Sequence, residues 1–300
     1  MSTPRLVTAL ALSFVATFAS ATALAGEANL RPQFKAGAEA RYEMSGMSHN
    51  VTKAAMLPDG EMKQVVTQQY RVAFKVMEVQ QDFATVQASY EFIKVDVKSP
   101  MPGMTPSFDS SQPVETDADN SLAPFLRPII GAKISMKVGL NGEILDVSTP
   151  EIKTPSGPLS TIAMQFIDAE AVKSNFAMLF SSGNQSGVAE VGATWEASEE
   201  HLLTPGATMA QKITYTLSSI EGSTATMDIV GRTELKVTGG QMQGAKLEES
   251  KITGVAMWDL SVGMLKSADI KNFMRIGAEP QPGMQMTIEA DQARAYRRLD

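Results

Sequence analysis

Two histidines, His49 and His201, and a complete absence of cysteine bound the chemistry open to this chain. Thiol catalysis and cysteine-based metal or redox centres are excluded. A Ser-His-acid relay would have to run through one of the two imidazoles. The nearest approach to a nucleophile elbow, Gly46-Met47-Ser48-His49-Asn50, lacks its closing glycine. Gly239-Gly240-Gln241-Met242-Gln243-Gly244 has neither the spacing nor the strand-to-helix context of a phosphate-binding loop and reads as a turn. Asp117-x-Asp119-x-Ser121 opens like a calcium loop. Leu122 and Pro128 stand where that loop needs its glycine and its bidentate glutamate, so an ordinary solvated loop is the better reading. The neighbouring acids Glu199-Glu200 and Glu248-Glu249 point to opposite faces of a strand. That does not build the facing pair glycoside hydrolysis requires. No catalytic residue is assigned, and the chain reads as a non-enzyme with no cofactor.

Methionine is the compositional oddity, with 19 in the chain. Met44, Met47 and His49 place two thioethers and an imidazole within six residues, a soft donor set suited to copper, with Met101, Met104, Met284 and Met286 as further donors. Methionine is also the adaptable filler of cores and of surfaces that bind varied apolar partners, and that reading stands beside the copper one. Trp195 and Trp258 read as core anchors.

The elements that would position these residues are mostly strands. Tyr70, Val72, Phe74 and Val76 alternate with polar neighbours, and Phe83 to Val97 is long enough for one bent strand. Further strands are expected at 132–138, 142–147, 211–217, 225–230, 233–237, 246–260, 264–273 and 284–296. Asn141-Gly142 marks a tight hairpin. Met101 to Leu126, rich in proline, reads as a long loop across a sheet edge or mouth, able to serve as a lid. Leu159 to Phe180 has the helical period, with Pro158 before it and Gly183 after it, and predicts one or two amphipathic helices.

Residues 1–25 read as a cleavable signal: Arg5, an apolar run over Leu6–Phe18, then Ala23-Leu24-Ala25. The mature chain is expected to be soluble, not membrane-spanning, and located in the periplasm or outside the cell. The net charge of −7 is dispersed without a basic stripe, which argues against nucleic-acid and anionic-membrane surfaces. The fold class expected is mainly β: antiparallel meanders in two similar halves, 26–157 and 184–300, forming a curved sheet or open half-barrel, with a helical connector at 158–183. The duplication is suggested by Gly37-Ala38-Glu39-Ala40-Arg41-Tyr42 against Gly192-Ala193-Thr194-Trp195, and by similar hairpins later in each half.

Phe108-Asp109-Ser110, the Asn141-Gly142 hairpin, Val188-x-x-Val191-Gly192-x-x-Trp195 and Thr214-Tyr215-Thr216-Leu217 resemble a secreted bacterial β-rich domain family of unknown function. That family carries no activity to transfer. More distantly, the long meander with a helix looks like the LolA/LppX-type envelope carriers, a resemblance that implies an apolar concavity for acyl chains. The first expectation is therefore an exported, non-catalytic envelope protein binding a lipid or other hydrophobic small molecule, with Met136, Phe166, Phe176 and Met257 lining the site. The alternatives are a structural or adaptor module with a filled core, partnered by another envelope protein, and a copper-binding protein using Met44, Met47 and His49.

Overall fold

The computed structural model describes residues 26–100, 105–152, 160–204, 207–239, 244–281 and 283–299, so the expected signal segment lies outside the described residues. The first half contributes β1 (Glu27–Asn29), β2 (Glu39–Ala54), β3 (Glu61–Val79), β4 (Phe83–Lys98), β5 (Ser107–Asp109), β6 (Lys133–Gly139) and β7 (Ile144–Ser148). Three helices intervene: α1 (Ala123–Leu126), α2 (Ser160–Ile167) and α3 (Ala169–Phe180). The second half adds β8 (Val188–Glu190), β9 (Thr194–Thr204), β10 (Ala207–Glu221), β11 (Thr224–Val237), β12 (Lys246–Asp259), β13 (Met264–Gln281) and β14 (Met284–Leu299).

These strands form one open antiparallel sheet of 12, ordered β7-β6-β4-β3-β2-β14-β13-β12-β11-β10-β9, with β5 added beside β4. Each half is a meander, and the two join where β14 pairs with β2 from Met286–Ala54 to Leu299–Arg41. The short strands β1 and β8 pair with each other in a separate ribbon. Each leads through a glycine of positive φ, Gly37 or Gly192, into the opening strand of its half.

Alternation dictates which face is buried. Ala84, Val86, Ala88 and Tyr90 point inward on β4, but so do Ile93, Val95 and Val97, which have the opposite parity. A bulge reconciles them: Arg71 pairs with Phe92 and Val72 with Tyr90, leaving Glu91 as the extra residue. Without it the second apolar set would face outward.

The inner face closes on the helices through aromatic edges. Phe74 meets Phe176 at 5.1 Å and Phe180 at 5.4 Å between ring centroids. Phe166 meets Tyr90 at 5.4 Å and Tyr70 at 5.5 Å. Such contacts stabilise beyond area burial by about 0.5–1.5 kcal/mol each. The helical stretch is divided at Asp168, whose carboxylate accepts from the backbone N–H of Glu170 (3.1 Å) and Ala171 (3.0 Å) and so starts α3 afresh.

Two segments differ from expectation. Residues 225–230 and 233–237 belong to the single strand β11, because Gly231 keeps an extended backbone there and a side chain would run into the Lys212 carbonyl on β10. The described part of the proline-rich stretch is no simple loop. It folds into β5, a 3-10 turn over Val114–Asp119, and α1, burying Phe108, Leu122 and Leu126. Arg127 fastens it, pairing with both oxygens of Asp117 at 2.7 and 2.8 Å and donating to the Ser110 carbonyl at 2.8 Å. The Asp117 carboxylate is thereby committed to a guanidinium, and that hydrogen-bonded pairing holds its pKa below the usual range. Met101 to Met104 lie outside the described residues.

Candidate functional site

The helices occupy one face of the sheet, and the face turned away from them carries a trough of about 670 Å³. Strand register explains its shape. Two adjacent rows cross five strands on this outer face. One runs Gln69, Ser45, Ala295, Asp269, Val255 and the other Thr67, Met47, Ala293, Lys271, Thr253. Ser45, Ala293 and Ala295 are small, so the floor is low at the seam between β2 and β14. The backbone of Gly46 and Gly254 contributes to it as well.

Larger side chains stand in the rows on either side. One bank holds Glu43 and Arg297; the other holds His49, Asp291 and Phe273. Four strand spacings make the trough about 19 Å long, and its two floor rows are one two-residue repeat, about 7 Å, apart, between banks about 20 Å from each other.

The banks are stiffened by ion pairs. Arg297 grips both oxygens of Asp269 at 2.6 and 2.7 Å, and Arg71 reaches Glu43 at 3.1 Å. Phe273 lies under the Arg275 guanidinium, 5.6 Å from its ring centroid. Val255, Met257 and Val230 extend an exposed apolar surface from the β12 end.

The sequence-expected residues divide between the two faces. Met136, Phe166 and Phe176 are at most 1% exposed on the helix side, so the space they share is occupied by packed side chains. Met257 is 40% exposed on the opposite face, beside Val255 at the trough's end, and does not join them. The copper trio is split by the period of a strand. Met44, 2% exposed, points into the core, while Met47, 45% exposed, lies in the trough and His49 on its bank. Among the described residues no group of three or more His, Asp or Glu is placed to hold a metal ion.

A second apolar surface lies on the inner face beyond the helices. The helical cover ends where Gln68 donates to the Gln165 side chain at 3.1 Å, beside a small polar cavity of about 70 Å³ that Asn175 and Arg294 also line. Past that level Met62, Met274, Met284 and Met286 are half-buried on the inner face and lie outside the main buried cluster.

Sequence reasoning passed over Ser45, Ala293, Ala295 and Lys271. Small residues on an outward face carry no signal until register places them side by side.

The fold defines a class, an open antiparallel β-sheet whose inner face is partly filled by helices. No family model matches the sequence, and no curated protein does. Among solved structures it is similar to lipovitellin, in a study of lipid–protein interactions, at 13% identity and a TM-score of 0.45, over 87% of this chain. The chain spans only 25% of lipovitellin's length. It is also similar to an outer membrane channel of Pseudomonas putida F1 (9% identity, TM-score 0.31, 89% of this chain and 97% of that one). For the outer membrane protein OprG of Pseudomonas aeruginosa the values are 9%, 0.21, 88% and 97%. At these scores the likeness carries no conclusion about function. Among the described residues no helix is long and apolar enough to cross a membrane, which leaves strand-based spanning untouched.

Proposed function

We propose that this chain is an exported, non-catalytic envelope protein that holds an elongated apolar ligand in the seam trough. The trough itself carries the reading. At about 670 Å³ it falls within the roughly 300–1,000 Å³ of small-molecule sites, and its floor is made of small side chains and backbone flanked by Met47 and Val255. Thioether and branched side chains suit an acyl chain, because they conform to an apolar surface without asking for hydrogen bonds. The N-terminal segment, with its basic start, short apolar run and Ala-x-Ala end, supports export. The direct test is displacement of an environment-sensitive acyl fluorophore from residues 26–300. The expected result is saturable binding that Ala293→Trp abolishes while leaving the circular dichroism spectrum unchanged. Equal binding by the filled variant would reject the trough as the site.

A second reading, an adaptor that docks another envelope protein, is favoured by one observation: Val230 and Met257 remain 60% and 40% exposed just beyond the trough. Such a surface fits a protein contact better than an enclosed ligand. No acyl binding by the native protein, together with capture of an envelope protein that Met257→Asp prevents, would favour it.

A further inference from the structure

We propose that the occupant of the trough is an amphiphile with a carboxylate head, and that Lys271 receives the head. This inference rests on the trough being a ligand site and adds the ligand's chemical class.

Three observations lead to it. First, the two rows that form the trough contain just two charged side chains, Asp269 and Lys271. Asp269 is already taken: both its oxygens are held by the Arg297 guanidinium at 2.6 and 2.7 Å. Second, among the described residues the Lys271 ammonium makes no hydrogen bond and no ion pair. Asp291 stands in the next row, across from His49 and Phe273 and not across from Lys271. The trough therefore presents one cation that is not in an ion pair, in a chain whose overall charge is −7. Third, Lys271 sits directly across from Ala293 on β14, beyond which lies Met47 on β2. Lys271 lines the trough, where a four-carbon stem can lie along the apolar floor while its ammonium reaches water.

An apolar molecule laid along the floor takes water away from that ammonium, which is unfavourable unless an anion replaces the lost hydration. A carboxylate does so with a charge-assisted hydrogen bond.

The experiment compares a saturated long-chain carboxylate with the alcohol of the same chain length, each displacing an acyl fluorophore from the full mature chain. Wild type should prefer the carboxylate by about tenfold. Lys271→Gln should erase that preference while still binding the alcohol, and Lys271→Arg should keep it. Ala293→Trp should remove binding of both. Equal affinity of wild type for acid and alcohol, or a preference that survives in Lys271→Gln, would overturn the assignment of the head while leaving the trough as an apolar site. Tighter binding of a two-chain phosphate lipid than of the carboxylate would overturn the carboxylate head. Failure of the native protein to bind either compound would overturn the trough reading and this inference together.

Discussion

Met47 on β2 and Ala293 on β14 are direct cross-strand partners on the helix-free face, at the seam where the first half of the chain meets its last strand. One residue is long and flexible, the other nearly flat. Repeated along the seam by Ser45 opposite Ala295, this pairing lowers the floor between banks of charged and aromatic side chains. The trough exists because the two ends of the sequence supply small residues at the same level of one sheet.

That geometry separates two methionines only three residues apart. Met47→Asp should weaken acyl-probe binding about tenfold or more and move the urea midpoint little, since outward-facing substitutions usually stay within about 0.5 kcal/mol. Met44→Asp places an unpaired charge in the core and should unfold the protein or cost several kcal/mol. Similar stability effects at both positions would contradict the assignment of faces.

The aromatic cluster beneath α3 should behave as a filled core. Phe176 is fully buried against Phe74 and Tyr90. Phe176→Ala should destabilise by about 3–5 kcal/mol, and Phe176→Leu by less. Denaturant titration checks this; a loss under about 1 kcal/mol would mean that the space is loosely packed and open to a ligand.

Gly142 ties the β6–β7 turn to the end of α3. Its φ is 87°, and a side chain there would collide with the Phe180 carbonyl. Gly142→Ala should lower the melting temperature, with a backbone cost of about 1–3 kcal/mol before the collision is counted. Gly222 also has positive φ but faces open space, so Gly222→Ala should cost less. Comparing the two variants by thermal melting isolates the collision.

Acid should loosen the hairpin between β12 and β13. Burial alone would raise the Asp259 carboxyl, but hydrogen bonds from Ser261 and from the Arg298 guanidinium outweigh it and hold the pKa below the ordinary value. A carboxylate depressed in the folded state stabilises fully above its unfolded pKa of about 3.9 and loses that contribution as pH falls through the folded value. Urea midpoints should therefore fall below about pH 4, and Asp259→Asn should fall less steeply. Identical profiles would remove Asp259 from the account.

Much of the fold was legible from alternation, because a half-buried sheet forces period two on its sequence. The strand from Phe83, the Asn141-Gly142 hairpin and the helical stretch all stand where their patterns placed them. β2 was harder to see. Gly46, Ser48 and Asn50 take its inward positions near the middle, so apolar alternation fades there. The site was harder still. Met47 and His49 drew notice as metal donors grouped with Met44, yet a strand turns residues three apart to opposite faces. Ala293 and Lys271 look ordinary until β14 is laid against β2 and β13, a long-range pairing that no local pattern encodes. The helices were expected to shelter a ligand through Phe166 and Phe176. Instead their own side chains fill the space, and the open concavity lies on the sheet's other side.

The most direct measurement is a methyl spectrum of the mature chain labelled at its methionine methyl groups, recorded while a long-chain acyl ligand is added. Met47, and to a lesser degree Met257, should shift and saturate, while Met44 and Met136 stay fixed in the core. Shifts confined to Met62, Met274, Met284 and Met286 would put the ligand on the inner face and contradict the trough, and an unchanged spectrum would contradict ligand binding itself.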